Sequence, residues 1–167
     1  MSTDIEKLVR EAVRAIKEAE PTPVREKKRV TELSLADARF LAAEIEKKAA
    51  EMGVNAVVAV ADAGGNLKLC ECMDNSYLAS RDIAINKAYT VVALKMSTKK
   101  LSSLALPGAP LYGIQHTNGG RIVIFGGGDP LEAGGKIVGG LGVSGGSEEQ
   151  DTALSAYGRK LFEEHFT

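Results

Sequence analysis

Cysteine is nearly absent from this chain of 167 residues, which has only Cys70 and Cys72. A secreted domain stapled by disulfides usually carries more, so that class is set aside. Histidine is equally scarce, with His116 and His165 alone. A zinc site built on the C-x-C pair would need two further ligands, and neither histidine is near it in sequence, so small-residue packing is the default for both thiols. Neither sign of charge is in excess. Lys and Arg number 21 against 22 Asp and Glu, a net charge of −1, and nothing favours nucleic acid or an anionic membrane as partner. No apolar run approaches the roughly 20 residues that span a bilayer. The first residues lack the apolar core of a secretory signal. Asp4, Glu6, Glu11 and Glu18 make them too acidic for an organelle transit peptide, so a cytoplasmic location is expected by default. A Walker P-loop, a Rossmann fingerprint and a recognisable Ser, Cys and His nucleophile motif are all missing, which argues against NTPase, dinucleotide and triad-hydrolase chemistry.

Glycine is present in excess, and unevenly. Of 18 glycines, 13 fall between Gly113 and Gly146. Glycine is kept where φ is positive or where something packs directly on the backbone. Here it interrupts two β-prone runs, Arg121–Phe125 and Lys136–Ser144. The pattern predicts two strands with room for a close neighbour, either a bound ligand or another subunit, and a turn that presents backbone N–H groups.

The remaining elements follow from periodicity and punctuation. Ile5, Leu8, Val9, Ala12, Val13 and Ile16 recur at helical spacing, with Thr3 and Glu6 as a capping box. Pro21, Pro23 and the charged stretch Arg25–Arg29 read as a linker. The predicted organisation is a tethered amphipathic helix over 1–19, a linker over 20–29 and one domain over 30–167. Within it, Ser34 caps a helix stopped by Gly53. Asn55–Asp62 and Leu67–Met73 form a hairpin about Ala63–Asn66, Leu78–Lys95 is a second long helix, and Thr98–Leu106 a short one. Ser147 with Gln150 opens a terminal helix. Hairpins imply an antiparallel sheet covered by helices, an α+β class.

Four stretches carry a resemblance: VAVADAGGNLKL, MDNSYLASRDIAINKAYT, LPGAPLYGIQHTNGGRIVIFGGGDPL and GKIVGGLGVSGGSEEQD. In this order they closely resemble the GlcG/HbpS family, which includes the C-terminal domain of PduO-type corrinoid adenosyltransferases. The resemblance runs from about Leu33 to Tyr157. It implies a profilin-like α/β/α sandwich around a five-stranded antiparallel sheet. It also implies homo-oligomers, octamers or smaller units of them, and haem binding in characterised members, with haem breakdown in some. A corrinoid is the other macrocycle it admits. The adenosyltransferase domain of PduO proteins is absent here, so adenosyl transfer is not carried over. The family commonly has an arginine just before the Met-Asp pair, where this chain has Cys72. The helix and proline linker ahead of the domain resemble the encapsulation peptides of bacterial microcompartment cargo, which implies shell proteins as partners of residues 1–19 and a microcompartment location.

His116 is the one histidine inside these motifs, in a turn-like loop, and imidazole is the commonest protein ligand of haem iron and of cobalt. It is the candidate metal ligand; the alternative is an exposed loop histidine with no partner. Lys87 would pair with a ligand carboxylate or, somewhat better, form a buried ion pair, for example with Asp74 or Asp62. Gly126, Gly127 and Gly128, and Gly145 and Gly146 ahead of Ser147, are backbone-site candidates, because free N–H groups at a helix start receive anions. Tight turns with close subunit packing explain them equally well. The leading expectation is an auxiliary haem- or tetrapyrrole-binding protein of a microcompartment pathway. The alternatives are an enzyme acting on a small organic acid or aldehyde and an oligomeric cargo protein with no small ligand.

Overall fold

Ser34 begins the domain's first helix as the sequence requires. Its Oγ accepts the Asp37 N–H at 3.1 Å, while the Ser34 N–H donates to Asp37 Oδ2 at 3.0 Å, a reciprocal capping box. The computed structural model describes residues 32–166. The helix expected over 1–19, its capping box and the linker over 20–29 lie outside the described residues. Helix α1 (Leu35–Glu51) buries Ala38, Leu41, Ala42, Ile45 and Ala49 and ends before Gly53, whose φ is +68°. Strand β1 (Val57–Asp62) turns through Gly64–Gly65 into β2 (Leu67–Cys72). Asp62 Oδ1 closes the turn, accepting the N–H groups of Gly64 at 2.8 Å and Asn66 at 3.0 Å. Those bonds hold its carboxyl below the usual carboxylate range.

Helix α2 (Leu78–Leu94) ends at Lys95 in the left-handed region, φ +54°. Ser97 caps the short α3 (Thr98–Leu104). Strands β3 (Gly128–Ala133) and β4 (Lys136–Ser144) form the second hairpin, and α4 (Glu148–Phe166) closes the fold. The Ser147 and Gln150 box holds as expected, with the Ser147 N–H on Gln150 Oε1 at 2.9 Å and the Gln150 N–H on Ser147 Oγ at 3.3 Å.

Among the described residues the sheet has four antiparallel strands in the order β2-β1-β4-β3, not the five that the resemblance implied. The first glycine-rich strand also lies later than expected. Arg121–Phe125 forms no ladder, because its backbone is committed to a helix side chain. The Thr90 hydroxyl accepts the Val123 N–H at 3.0 Å and lies 3.2 Å from the Arg121 carbonyl. The run's β-branched residues gave it strand propensity, but propensity without a free strand edge does not make a strand. The paired strand is Gly128–Ala133.

Alternation along β1 divides the core. Val58 and Val60 pack with Leu41, Ile45, Leu141, Leu154 and Phe162, contributed by α1, β4 and α4. Val57, Ala59 and Ala61 face Ala84 and Ala88 of α2. The close neighbour anticipated from the glycines is therefore α2 of the same chain. A Cβ on Gly142 would lie 2.1 Å from the Ala84 carbonyl oxygen, and one on Gly140 2.3 Å from that of Ala88.

Candidate functional site

The glycine corner is built around a charge with no access to water. α2 carries Lys87, whose side chain is fully buried, toward the end of β4. Its Nζ donates to the Val143 carbonyl at 2.7 Å and to Asp151 Oδ2 at 2.9 Å, and lies 4.9 Å from the centre of the Phe125 ring. Asp151 Oδ1 in turn accepts the Gly146 N–H at 2.9 Å. Burial pushes the Lys87 amine below its usual value, and the Asp151 carboxylate pulls it part of the way back. The ion pair weighed for this lysine thus exists, but its partner is Asp151, not Asp62 or Asp74. Gly127 (φ +108°) is what leaves room for it, since a Cβ there would stand 2.5 Å from Lys87 Nζ.

Three of the five candidate glycine amides have acceptors within the chain. The Gly126 N–H donates to Glu148 Oε1 at 3.1 Å and the Gly128 N–H to Thr98 Oγ1 at 2.9 Å. The Gly126 bond is the largest influence holding the Glu148 carboxyl low. The donors that would cradle a free anion at Gly126, Gly128 and Gly146 already hold the chain's own oxygens. Gly145 and Gly146 also border a cleft of about 500 Å³, with Asn55, Asn75, Tyr77, Ser147 and Gln150 around it. Lys87 and His116 are not part of its wall.

His116 sits elsewhere, on the long connection between α3 and β3. That connection carries two 3-10 turns, Ile114–His116 and Asn118–Gly120. The imidazole is exposed, and its nearest polar contact is a long one, Nε2 to Gln115 Nε2 at 3.4 Å. Gln115 Oε1 is buried with no hydrogen-bond partner, the only such side-chain atom among the described residues. Such atoms are rare in folded proteins and signal a missing partner. Leu106, Tyr112 and Phe125 on the same connection are exposed. Sequence reasoning missed Arg121 here. Its guanidinium lies 3.7 Å from the centre of the Tyr89 ring of α2, and Tyr89 is 32 positions away, so no local signal could pair them.

The C-x-C pair lies on edge strand β2. Cys70 is half-buried against the α2 side of the sheet and Cys72 is exposed, and both are free thiols. Burial, with Cys72 alongside, pushes the Cys70 thiol up to about 11, so it is inert rather than nucleophilic. Among the described residues no group of three or more His, Cys, Asp or Glu could hold a metal ion, and no helix is long and apolar enough to cross a membrane. The sequence candidates therefore fall in two places: Lys87 and Gly126–Gly128 around one buried ion pair that also reaches Gly146, and His116 on an exposed loop.

By family, the chain belongs to the haem-degrading HbpS-like proteins, whose model matches residues 33–160. An uncharacterised 15.0 kDa protein from the dhaT-dhaS intergenic region of Citrobacter freundii is 44% identical over 135 residues, covering 81% of this chain and 95% of that protein. Corrinoid adenosyltransferase PduO of Salmonella typhimurium is 40% identical over 123 residues, which is 74% of this chain but 37% of PduO. Among solved structures, the Klebsiella pneumoniae protein ORFY superposes with a TM-score of 0.77 at 41% identity, covering 84% of this chain and 97% of that one. A PduOC–haem complex gives 0.75 at 38% identity, covering 78% and 94%, and HbpS gives 0.71 at 26% identity, covering 86% and 96%.

Proposed function

We propose, from membership of this family, that the chain is an auxiliary tetrapyrrole-binding protein with haem as its macrocycle. It works as a homo-oligomer in a bacterial microcompartment pathway, and residues 1–19 address it to the shell. The observation that carries the ligand reading is the His116 loop. An imidazole stands exposed with one long polar contact, and the amide oxygen beside it is buried without a donor. Exposed Leu106, Tyr112 and Phe125 give the same connection apolar surface suited to a flat macrocycle. These residues fit haem. If bound, haem would be held by His116 and would supply an iron centre. The work of the chain is to present His116 from two tight turns anchored on α2. Lys87, Asp151 and the amides of Gly126, Gly128 and Gly146 are bonded within the chain, and their part in this reading is to hold the frame.

The organic-acid enzyme reading needed the Lys87 ammonium and the glycine amides free to hold a carboxylate. Lys87 and the amides of Gly126, Gly128 and Gly146 have acceptors inside the chain, so that reading loses most of its binding groups.

Haemin titration tests the proposal. The wild-type protein is expected to develop a Soret band at a fixed stoichiometry per chain, in a particle that light scattering sizes above one chain. His116→Ala is expected to shift the ferric Soret maximum and weaken binding, since a water or weaker ligand takes the vacated position. An identical mutant spectrum would move the axial ligand away from His116, and no Soret band with wild type would reject haem.

A further inference from the structure

Arg121 differs from the other arginines of the described chain in being held still and yet unpaired. Its guanidinium stacks over the Tyr89 ring at 3.7 Å, an arrangement that both attracts and orients it. Its Nε–H points to Asn86 Oδ1 at 3.4 Å. Tyr89 is itself fixed: its hydroxyl donates to Asn118 Oδ1 at 3.2 Å, and its ring packs so closely on Gly65 that a Cβ there would stand 3.0 Å away. The backbone of Arg121 is held as well, by its N–H on the Asn118 carbonyl at 3.4 Å, with the Thr90 hydroxyl, which also reaches the Asn86 carbonyl at 2.7 Å, 3.2 Å from the Arg121 carbonyl. No Asp or Glu of the described residues forms an ion pair with it. The nearest acid of this network, Asp82, accepts from the Asn86 amide at 3.1 Å. Arg159, by contrast, is taken up by Asp129 and Glu163.

A guanidinium presents two parallel N–H groups that match a carboxylate. Here Tyr89 and Asn86 fix the plane, and the Nη edge has no acceptor among the described residues. Binding an anion at such a group loses little side-chain entropy, because the rotamer is already chosen. Arg121 is five residues after His116, directly following the second of the two 3-10 turns.

We propose that Arg121 is a carboxylate receptor, and that in the bound protein it holds a propionate of the tetrapyrrole whose metal His116 ligates. The receptor chemistry stands on the arginine's own surroundings, while the identification of its carboxylate as a propionate rests on the haem reading.

The test uses the full chain and two probes, haemin and haemin dimethyl ester, which differ only in whether the carboxylates are free. Arg121→Gln is expected to weaken haemin roughly tenfold, the scale of one charge-assisted pair, and to leave the dimethyl ester bound as by wild type. If Arg121→Gln melts early, Arg121→Lys carries the same comparison, because it loses the fork and the stack while keeping the charge. Equal haemin affinity in wild type and variant would overturn the proposal and leave haem binding standing. Should the wild type bind neither probe, the haem reading fails, and succinate titration followed through the Arg121 Nε–H resonance decides the receptor alone. A shift that disappears in Arg121→Gln supports a small free carboxylate as the guest, and no shift overturns the receptor.

Discussion

Replacing Asp151 with asparagine tests the electrostatic account of the glycine corner. The substitution keeps an oxygen for the Gly146 N–H, now 2.9 Å from Asp151 Oδ1, but removes the carboxylate paired with Lys87. The ammonium would retain the Val143 carbonyl at 2.7 Å and the Phe125 ring at 4.9 Å. Neither compensates a full charge at a fully buried site. Breaking a buried pair in this way costs about 3–5 kcal/mol. In a domain of this size each kcal/mol moves Tm by roughly 2–4 °C, so a fall of roughly 10 °C is expected. The double variant Lys87→Met, Asp151→Asn carries no buried charge and is expected to recover most of the loss. The pH dependence has a definite sign. Burial depresses the folded-state value of Lys87 below its ordinary 10.5, and Asp151 opposes that depression. With Asp151 neutral the depression deepens. The unfolded chain then binds the proton more tightly, and stability rises with pH through the window that ends at 10.5. Urea unfolding from neutral pH to pH 10 checks both points. An Asp151→Asn variant within ~0.5 kcal/mol of wild type at neutral pH, the ordinary range for a surface change, would refute the argument, as would a stability that falls with rising pH.

Three further outcomes are expected, two from the packing of the described residues and one from the reading of residues 1–19. Gly142→Ala sets a Cβ 2.1 Å from the Ala84 carbonyl oxygen and 2.7 Å from the Ala88 nitrogen, both backbone atoms that cannot step aside. It is expected to destabilise by ~3 kcal/mol in urea unfolding. Gly53→Ala meets nothing within 4 Å and suffers only its φ of +68°, so about 1 kcal/mol is expected, and the reverse ranking would contradict the packing described. Deleting residues 1–19 is expected to leave the circular dichroism melt nearly unchanged while abolishing co-localisation with shell proteins. A deletion that unfolds the domain would return the apolar stripe to the core and end the targeting proposal.

The parts of the fold legible in the sequence are those decided within a few residues. Ser34 and Ser147 announce their helices because a cap and its N3 partner are three positions apart. The Asp62 to Asn66 turn is readable for the same reason. Arg121 to Phe125 misled, because β-branched residues look alike whether they join a ladder or lie against Thr90, and only tertiary contact separates the two. For Lys87 a buried ion pair was legible but its partner was not. Asp151 lies 64 positions on, and no local pattern distinguishes it from Asp62 or Asp74. The glycine density announced a close neighbour without naming it, and α2 became identifiable only once its carbonyls were seen against β4. His116 was visible by its scarcity. Arg121 was not, because its distinction is a stacked ring and a missing carboxylate, neither of which is a property of sequence.

Asp151 behaves as a guest that the protein carries with it. Its two oxygens take the Lys87 ammonium and the Gly146 amide, the pair of groups that a small acid would have sought at this corner. Because the carboxylate is tethered and pre-oriented, its effective concentration at those donors exceeds, by orders of magnitude, any metabolite level in a cell. Free acids therefore lose the competition whatever their abundance. A corner that has the makings of an anion site acts instead as a permanent internal lock. Selection for a new small-acid ligand would begin by removing that carboxylate, not by adding a cation.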